Sequence, residues 1–405
     1  MDKCTGNSTL VFRTMATMTR HHTATCLAPF GESVFATWSR LAADHNAVNL
    51  GQGFPDFDGP PEVIEAAYRA MRDGHNQYAP MGGVPVLTQA IADDWHASTG
   101  HTIDPSSEVT VTAGCTEAIA ATMLGLLNPD DEVIVFEPFY ESYPATIAMA
   151  SGVMKTVTTR PPHFGIDLDA IRAALTPRTR AILLNTPHNP TGHVASRDEL
   201  EGLAAICIEH DLIAIADEVY DRMVYVGEHI PLATIDGMWE RTITLRSMAK
   251  TFSMTGWKVG WVIAPPALSN AVRAAHQFQI YSVATPLQHG AAAALRFGEN
   301  YYTKLSSDYR ERRDMLCDAL EQVGFGVHRP DGTYFVMCDH TPFGYADSEA
   351  FCMHLVKDIG VAAIPPRSFY VNPEDGKNLV RFAFCKTLPV LEEAISRLRS
   401  GGVAN

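Results

Sequence analysis

Between residues 108 and 264, short continuous apolar runs alternate with helical stretches, and this pattern constrains the fold more than any other feature. Glu108 to Thr112, Glu132 to Phe136, Ala181 to Leu184, Leu212 to Ala216, Thr242 to Leu245 and Trp261 to Ala264 read as strands. Thr116 to Leu127 and Arg197 to His210 read as helices among them. A strand that is apolar at every position has both faces covered. Such strands alternating with helices specify an α/β unit with a mainly parallel sheet between helical layers.

The flanks differ. Ser33 to Asp44 is a helix with Val34, Phe35, Trp38 and Leu41 on one face. Val48 to Asp56 is rich in chain breakers and reads as a loop. Pro60 to Arg72 starts with proline and keeps helical spacing. After about residue 300 come a long charged helix (Tyr301 to Val323), strands near Thr333–Met337 and Leu379–Phe384, and a last helix, Pro389 to Arg399. This predicts a smaller α+β domain. The expected division is a disordered tail over 1–26 and a segment 27–50 joining the small domain. A large domain over 51–299 and a small one over 300–405 follow.

Net charge is −15, a field that opposes nucleic-acid backbones and anionic membranes. It leaves room for a small anion held by a local cation. No apolar run approaches about 18 residues, so no membrane span is expected. The 8 cysteines are dispersed, with no C-x-x-C pair, which favours a reducing cytoplasm over a disulfide framework. Met1 to His22 is rich in Ser and Thr with few acids. It resembles an organelle presequence in composition, but the reading adopted is a disordered or over-long tail.

In an open α/β sheet, ligands bind beyond the carboxyl ends of the strands. Five of those ends carry Gly114-Cys115-Thr116-Glu, then Glu137-Pro-Phe-Tyr140, Asn185 to Gly192 with Asn189, Asp217-Glu-Val-Tyr220, and Ser247-Met-Ala-Lys250, with Lys258 eight residues on. A glycine-led helix start offers free amides and a partial positive charge to a phosphate, and Ser247 and Lys258 add a hydroxyl and a cation. Lys250 is a candidate imine former if its pKa is lowered. Asp217 suits a protonated heterocyclic nitrogen, Asn189 and Tyr220 a phenolate oxygen, and Tyr140 a ring face. Phosphate, aldehyde, ring nitrogen, ring oxygen and ring face together match pyridoxal 5'-phosphate. Asp217 beside Glu218 hints at a metal pair, but neighbouring strand residues point opposite ways, so no metal is expected. Gly51-x-Gly53 lacks the third glycine of a dinucleotide fingerprint.

Asn189-Pro-Thr-Gly, Asp217-Glu-Val-Tyr, Ser247-x-x-Lys250 with Lys258, and Arg381-Phe-Ala-Phe resemble the class I aminotransferases of the fold type I pyridoxal-phosphate family. The resemblance runs from about residue 27 to the C-terminus. Asn49 to Phe57, Asn76-Gln-Tyr78 and Gly237-Met-Trp-Glu-Arg241-Thr resemble the kynurenine/glutamine/methionine aminotransferase branch. The resemblance implies a seven-stranded, mainly parallel sheet in the large domain. It implies Lys250 as imine former and proton shuttle, with Asp217 on the ring nitrogen, Asn189 and Tyr220 on the ring oxygen, and Tyr140 stacked on the ring. The Gly114, Cys115 and Thr116 backbone, Ser247 and Lys258 would take the phosphate. Thr116 stands where some relatives carry an aromatic residue, so only its amide and hydroxyl are assigned. Tyr78 would reach the phosphate of the partner in a homodimer with shared sites. Arg381 would fork the substrate α-carboxylate with help from Gly53 and Asn189, and Phe35, Tyr140 and the partner's Tyr281 would line the side-chain pocket.

The expected reaction is ping-pong transfer of an amino group from a methionine, glutamine, aromatic or kynurenine-type amino acid to a 2-oxo acid. Succinyldiaminopimelate transamination in lysine biosynthesis and β-elimination from cysteine conjugates are the alternatives. A non-catalytic scaffold is disfavoured by intact Lys250, Asp217 and Arg381. A DNA-binding regulator is disfavoured because the residues before the homologous region are too few for a basic helix-turn-helix.

Overall fold

The computed structural model describes residues 23–401. The N-terminal tail reading therefore lies almost wholly outside the described residues; residues 24–28 form a turn closed by Ala28 N donating to Ala24 O. Twelve strands follow in chain order: β1 Val48–Asn49, β2 Val109–Thr112, β3 Glu132–Glu137, β4 Val153–Thr158, β5 Thr179–Asn185, β6 Ile213–Asp217, β7 Thr242–Ser247, β8 Gly260–Ile263, β9 Gly326–His328, β10 Phe335–Asp339, β11 Val361–Ala362 and β12 Leu379–Ala383. β2 to β8 form one seven-stranded sheet in the order β2-β8-β7-β6-β5-β3-β4. Only β8 runs against its neighbours, so the sheet is mainly parallel, as the apolar runs require.

Alternation inside those runs explains their burial. Val133 and Val135 join Leu183, Ile215 and Leu245 under helices Gly114–Leu126 and Pro266–Gln279. Ile134 and Phe136 join Ile182, Leu184 and Ala214 on the other face, under helix Arg197–Glu209. Each strand thus feeds two cores, which is why it looks uniformly apolar. Helix Arg197–Glu209 opens on a capping box between Ser196 and Glu199.

Several elements of the fold depart from the sequence reading. The edge strand β4 went unread: its Lys155 pairs with Glu132 at 3.6 Å and only Val157 is fully buried. Helices Pro85–Thr99, Pro266–Gln279 and Thr285–Ala294 were also unread. The strand expected from Thr333 begins at Phe335, because Thr333 adopts φ +65° and cannot continue a ladder.

A separate core gathers Trp38 of helix Val34–Asp44, Leu316 of helix Glu299–Val323, the antiparallel sheet β12-β10-β9 and Leu391 of helix Leu388–Ser400. β1 pairs in parallel with β11, so the chain before residue 50 packs with the C-terminal elements. Among the described residues, no helix is long and apolar enough to cross a membrane.

Candidate active site

The parallel strands deliver their C-terminal ends to one edge of the sheet, and antiparallel β8 delivers its start there. That reversal brings Lys258, two residues before β8, beside residues that follow parallel strands. A cavity of about 220 Å³ opens at this edge. Its walls include Gly114, Cys115 and Thr116, then Tyr140, Asn189, Asp217 and Tyr220, and Ser247, Lys250 and Lys258.

One end of the cavity is formed by the start of helix Gly114–Leu126 with Ser247 and Lys258. Gly114 starts helix Gly114–Leu126 at φ +73°, and a Cβ there would meet Lys258 Nζ at 3.2 Å, so glycine permits both the turn and the approach of the lysine. Lys258 itself sits at φ +53° and lies 3.4 Å from the Thr116 hydroxyl. Ser247 donates to Val259 O at 3.2 Å and accepts from Ala249 N at 3.0 Å. Its hydroxyl therefore caps helix Met248–Thr251 as well as facing the cavity.

At the other end lies Asp217. Tyr143 donates to its Oδ2 at 2.7 Å, Val219 N to its Oδ1 at 3.3 Å, and the Cys115 thiol sits 3.7 Å from Oδ1. Burial raises the Asp217 pKa, against Tyr143, the Val219 amide, Cys115 and Lys250. A buried carboxyl raised in this way is suited to a cationic N–H partner. Glu218 has other partners, Arg246 at 2.9 Å and His229 at 3.1 Å, so the adjacent acids do not form a pair.

Lys250 projects from the short helix after β7. Its Nζ lies 3.4 Å from Gly53 O and 5.8 Å from the Tyr220 ring, and burial lowers its pKa. The condition attached to an imine-forming lysine is thereby met in direction. Tyr220 is 3% exposed, and Tyr140 packs edge-on against Tyr143 with centroids 5.6 Å apart.

Arg381 is 1% exposed on β12. Nη1 donates to Asn189 Oδ1 at 3.2 Å and Nη2 to Gly51 O at 2.8 Å, while Nε has no partner among the described residues. Phe335, Phe35 and Phe369 surround the guanidinium at 4.2, 5.0 and 5.5 Å from their centroids. Burial draws its pKa down to about 10, which leaves it charged at neutral pH. A Cβ on Gly53 would meet Phe335 Cζ at 2.5 Å, so only glycine fits beside that ring. Glu141 accepts from the Ser33 hydroxyl at 2.5 Å, and its charge counts among those raising the Arg381 pKa.

Two expected site residues stand apart. Tyr78 is 84% exposed and Tyr281 48%, with ring centroids 5.6 Å apart; neither lines this chain's cavity. Several contributors went unread. Tyr143 contacts Asp217 from a helix with no sequence mark of that role. Asn185 ends β5, accepts from Asn189 N at 2.7 Å and donates to Asp217 O at 2.8 Å; its place at a strand end was a usable signal. Tyr334 donates to Gly53 O at 2.6 Å, and Phe335 and Phe369 complete the wall around Arg381.

The donor set fits pyridoxal 5'-phosphate: a glycine-led helix start with a lysine, a lysine of lowered pKa, a buried carboxyl of raised pKa and an aromatic face. The unpartnered Arg381 Nε adds room for a carboxylate next to it.

The family model for aminotransferase class I and II matches residues 45–398. The chain is 47% identical over 388 residues to a probable N-succinyldiaminopimelate aminotransferase of Mycobacterium tuberculosis, covering 93% of this chain and 98% of that one. The solved structure of N-succinyldiaminopimelate aminotransferase from that organism superposes with a TM-score of 0.91, covering 94% of this chain and 100% of that one. Identity is 39% over 374 residues to a methionine aminotransferase of Escherichia coli strain K12 (92% and 97% covered). It is 36% over 394 residues to human kynurenine–oxoglutarate transaminase 1 (89% and 93%). The chain belongs to the class I and II aminotransferases, pyridoxal-phosphate-dependent transaminases of fold type I that act on amino acids and 2-oxo acids.

Proposed function

We propose that this transaminase takes large uncharged amino acids, of the methionine, glutamine, aromatic or kynurenine type, as its donors. The observation that carries this reading is the setting of Arg381. One buried guanidinium, its Nε without a partner among the described residues, is walled by Phe35, Phe335 and Phe369. A planar fork holds a single α-carboxylate in a fixed orientation, and aromatic walls favour a thioether or ring by roughly 1.5–3 kcal/mol on full burial. Burying an unpaired second carboxylate there would cost several kcal/mol.

When bound, pyridoxal phosphate supplies a carbonyl carbon for the amine and a protonated ring that withdraws electrons. The chain's residues do the rest. Lys250 Nζ, whose pKa burial lowers, is placed to take the proton from the substrate Cα and hold it for return. Asp217 keeps the ring nitrogen protonated, and Tyr143 and Asn185 keep Asp217 in place. Asn189 and Tyr220 hold the ring oxygen, and Tyr140 its face. The amides of Gly114, Cys115 and Thr116, with Ser247 and Lys258, hold the phosphate. Arg381, Gly53 and Asn189 orient the α-carboxylate so that the Cα–H faces Lys250.

The paired exposed aromatics Tyr78 and Tyr281 support a homodimer in which each protomer completes its partner's site. The seven described cysteines are all free, which supports a reducing, cytoplasmic setting.

A second reading is succinyldiaminopimelate transamination, favoured by the 47% identity to the mycobacterial relative. Its distal carboxylates lie far enough along the chain to remain at the rim. Measuring kcat/KM for methionine, glutamine, phenylalanine, kynurenine, aspartate and succinyldiaminopimelate decides between them. The uncharged donors should exceed aspartate by at least about tenfold, which needs only about 1.4 kcal/mol. Aspartate as the best donor would refute the pocket, and succinyldiaminopimelate ahead by orders of magnitude would select the second reading.

A further inference from the structure

Helix Pro266–Gln279 brings His276, 0% exposed, against the helix that starts at Gly114. His276 Nδ1 lies 3.0 Å from Glu117 Oε1, and Nε2 lies 3.2 Å from Met81 O. The other oxygen of Glu117 accepts from Ala113 N at 3.0 Å. One buried imidazole and one carboxylate thus join the loop that follows Tyr78 to the amide immediately before Gly114. The same loop is pinned at its ends, by Thr285 donating to Gln77 O at 2.6 Å and by Val84 N donating to Gln288 at 2.8 Å.

The hydrogens on this chain are fixed by chemistry. A carbonyl oxygen only accepts, so His276 Nε2 carries a hydrogen toward Met81 O. With Nδ1 also carrying a hydrogen, His276 pairs with the Glu117 carboxylate as a unit without net charge. This matters because a bare carboxylate at the start of the helix would oppose the dianion that the cup is built to take, whereas the helix end itself favours it.

We propose that His276 is a positioning residue for the phosphate cup. It neutralises and orients Glu117, which in turn fixes the Ala113 amide and the turn into Gly114. The inference rests on the reading of Gly114 to Thr116 as the phosphate site. It extends that reading to two residues that do not line the cavity.

The test compares two ligands on full-length protein stripped of cofactor: pyridoxal phosphate, and pyridoxal, which lacks the phosphate. Binding is followed by visible absorbance for wild type, His276→Phe, His276→Gln and His276→Phe/Glu117→Gln, each with a melting curve to establish folding. His276→Phe takes the imidazole partner from the largely buried Glu117 carboxylate and should weaken pyridoxal phosphate by about 10- to 100-fold, with pyridoxal changed less than about twofold by the same argument. Adding Glu117→Gln removes the uncompensated charge and should restore most of the affinity. If His276→Phe does not fold, His276→Gln, which keeps one donor, should show the same ligand-selective loss in smaller measure. Equal loss of both ligands, no loss, or no recovery with Glu117→Gln would overturn the proposal. A wild type that binds both ligands equally would overturn the cup reading beneath it, a result recognisable before any variant is made.

Discussion

The Tyr143 hydroxyl donates a 2.7 Å hydrogen bond to Asp217 Oδ2 inside a fully buried pair. It is one of the interactions that oppose the upward pull of burial on the Asp217 pKa. Tyr143→Phe should therefore let that pKa rise further and leave the ring nitrogen less well held in its protonated form. A hydrogen bond to a charged group is worth about 1.5–3 kcal/mol, so kcat should fall about 10- to 100-fold with cofactor still bound. Asp217→Ala should lose more, on the order of 100- to 1000-fold. Single-turnover rates with methionine check both, and near-normal turnover in Asp217→Ala would contradict its role.

Lys250 should mark the pH dependence of the cofactor-free protein. Its folded pKa lies below the ordinary lysine value of 10.5 because of burial. Below the folded pKa the buried ammonium destabilises the fold; between the folded and unfolded values the unfolded chain binds the extra proton, so stability rises with pH. Lys250→Met should remove that slope and raise the melting temperature of the stripped protein at neutral pH. Melts of wild type and variant from neutral pH to about 10.5 read the difference, and parallel curves would contradict it.

Arg381→Lys should separate binding from folding. The shorter cation cannot reproduce a planar fork anchored on Asn189 and Gly51. Losing one charge-assisted hydrogen bond of about 1.5–3 kcal/mol should cost about 10- to 100-fold in kcat/KM for every α-amino acid donor. The visible spectrum of the bound cofactor should stay unchanged. An altered spectrum with normal kinetics would place Arg381 on the cofactor instead.

Glu141, held by Ser33, should disfavour donors with a second carboxylate. Like charges ~8 Å apart at an effective dielectric of ~20 repel by about 2 kcal/mol. Glu141→Gln should thus raise kcat/KM for aspartate or glutamate by up to about 10-fold relative to methionine. An unchanged ratio would show that Glu141 does not act on the substrate.

The sheet and the cavity were legible in the sequence for one shared reason. Ile134, Ile182 and Ala214 on one face and Val133, Leu183 and Ile215 on the other make each strand apolar throughout, and the first polar residues after such strands must sit at the ligand-binding edge. Asp217 ends β6, and Gly114, Asn189 and Lys250 lie within four residues of the ends of β2, β5 and β7. Lys258 joins them only because β8 is reversed, which its sequence does not announce. Edge strand β4 was hidden because Lys155 and its neighbours face solvent and Glu132 rather than a core. Tyr143, Tyr334 and His276 were illegible because each acts across more than 70 residues of chain, through contacts that exist only once helices and domains have packed.

The identity of the lysine at the centre of this site is open to direct measurement. The full-length protein, loaded with pyridoxal phosphate, is reduced with borohydride, digested and mapped by mass spectrometry. The account predicts one cofactor adduct, on Lys250, together with loss of the visible band and of methionine transamination in Lys250→Ala. An adduct on Lys258 or another lysine, or a band that survives Lys250→Ala, would contradict it.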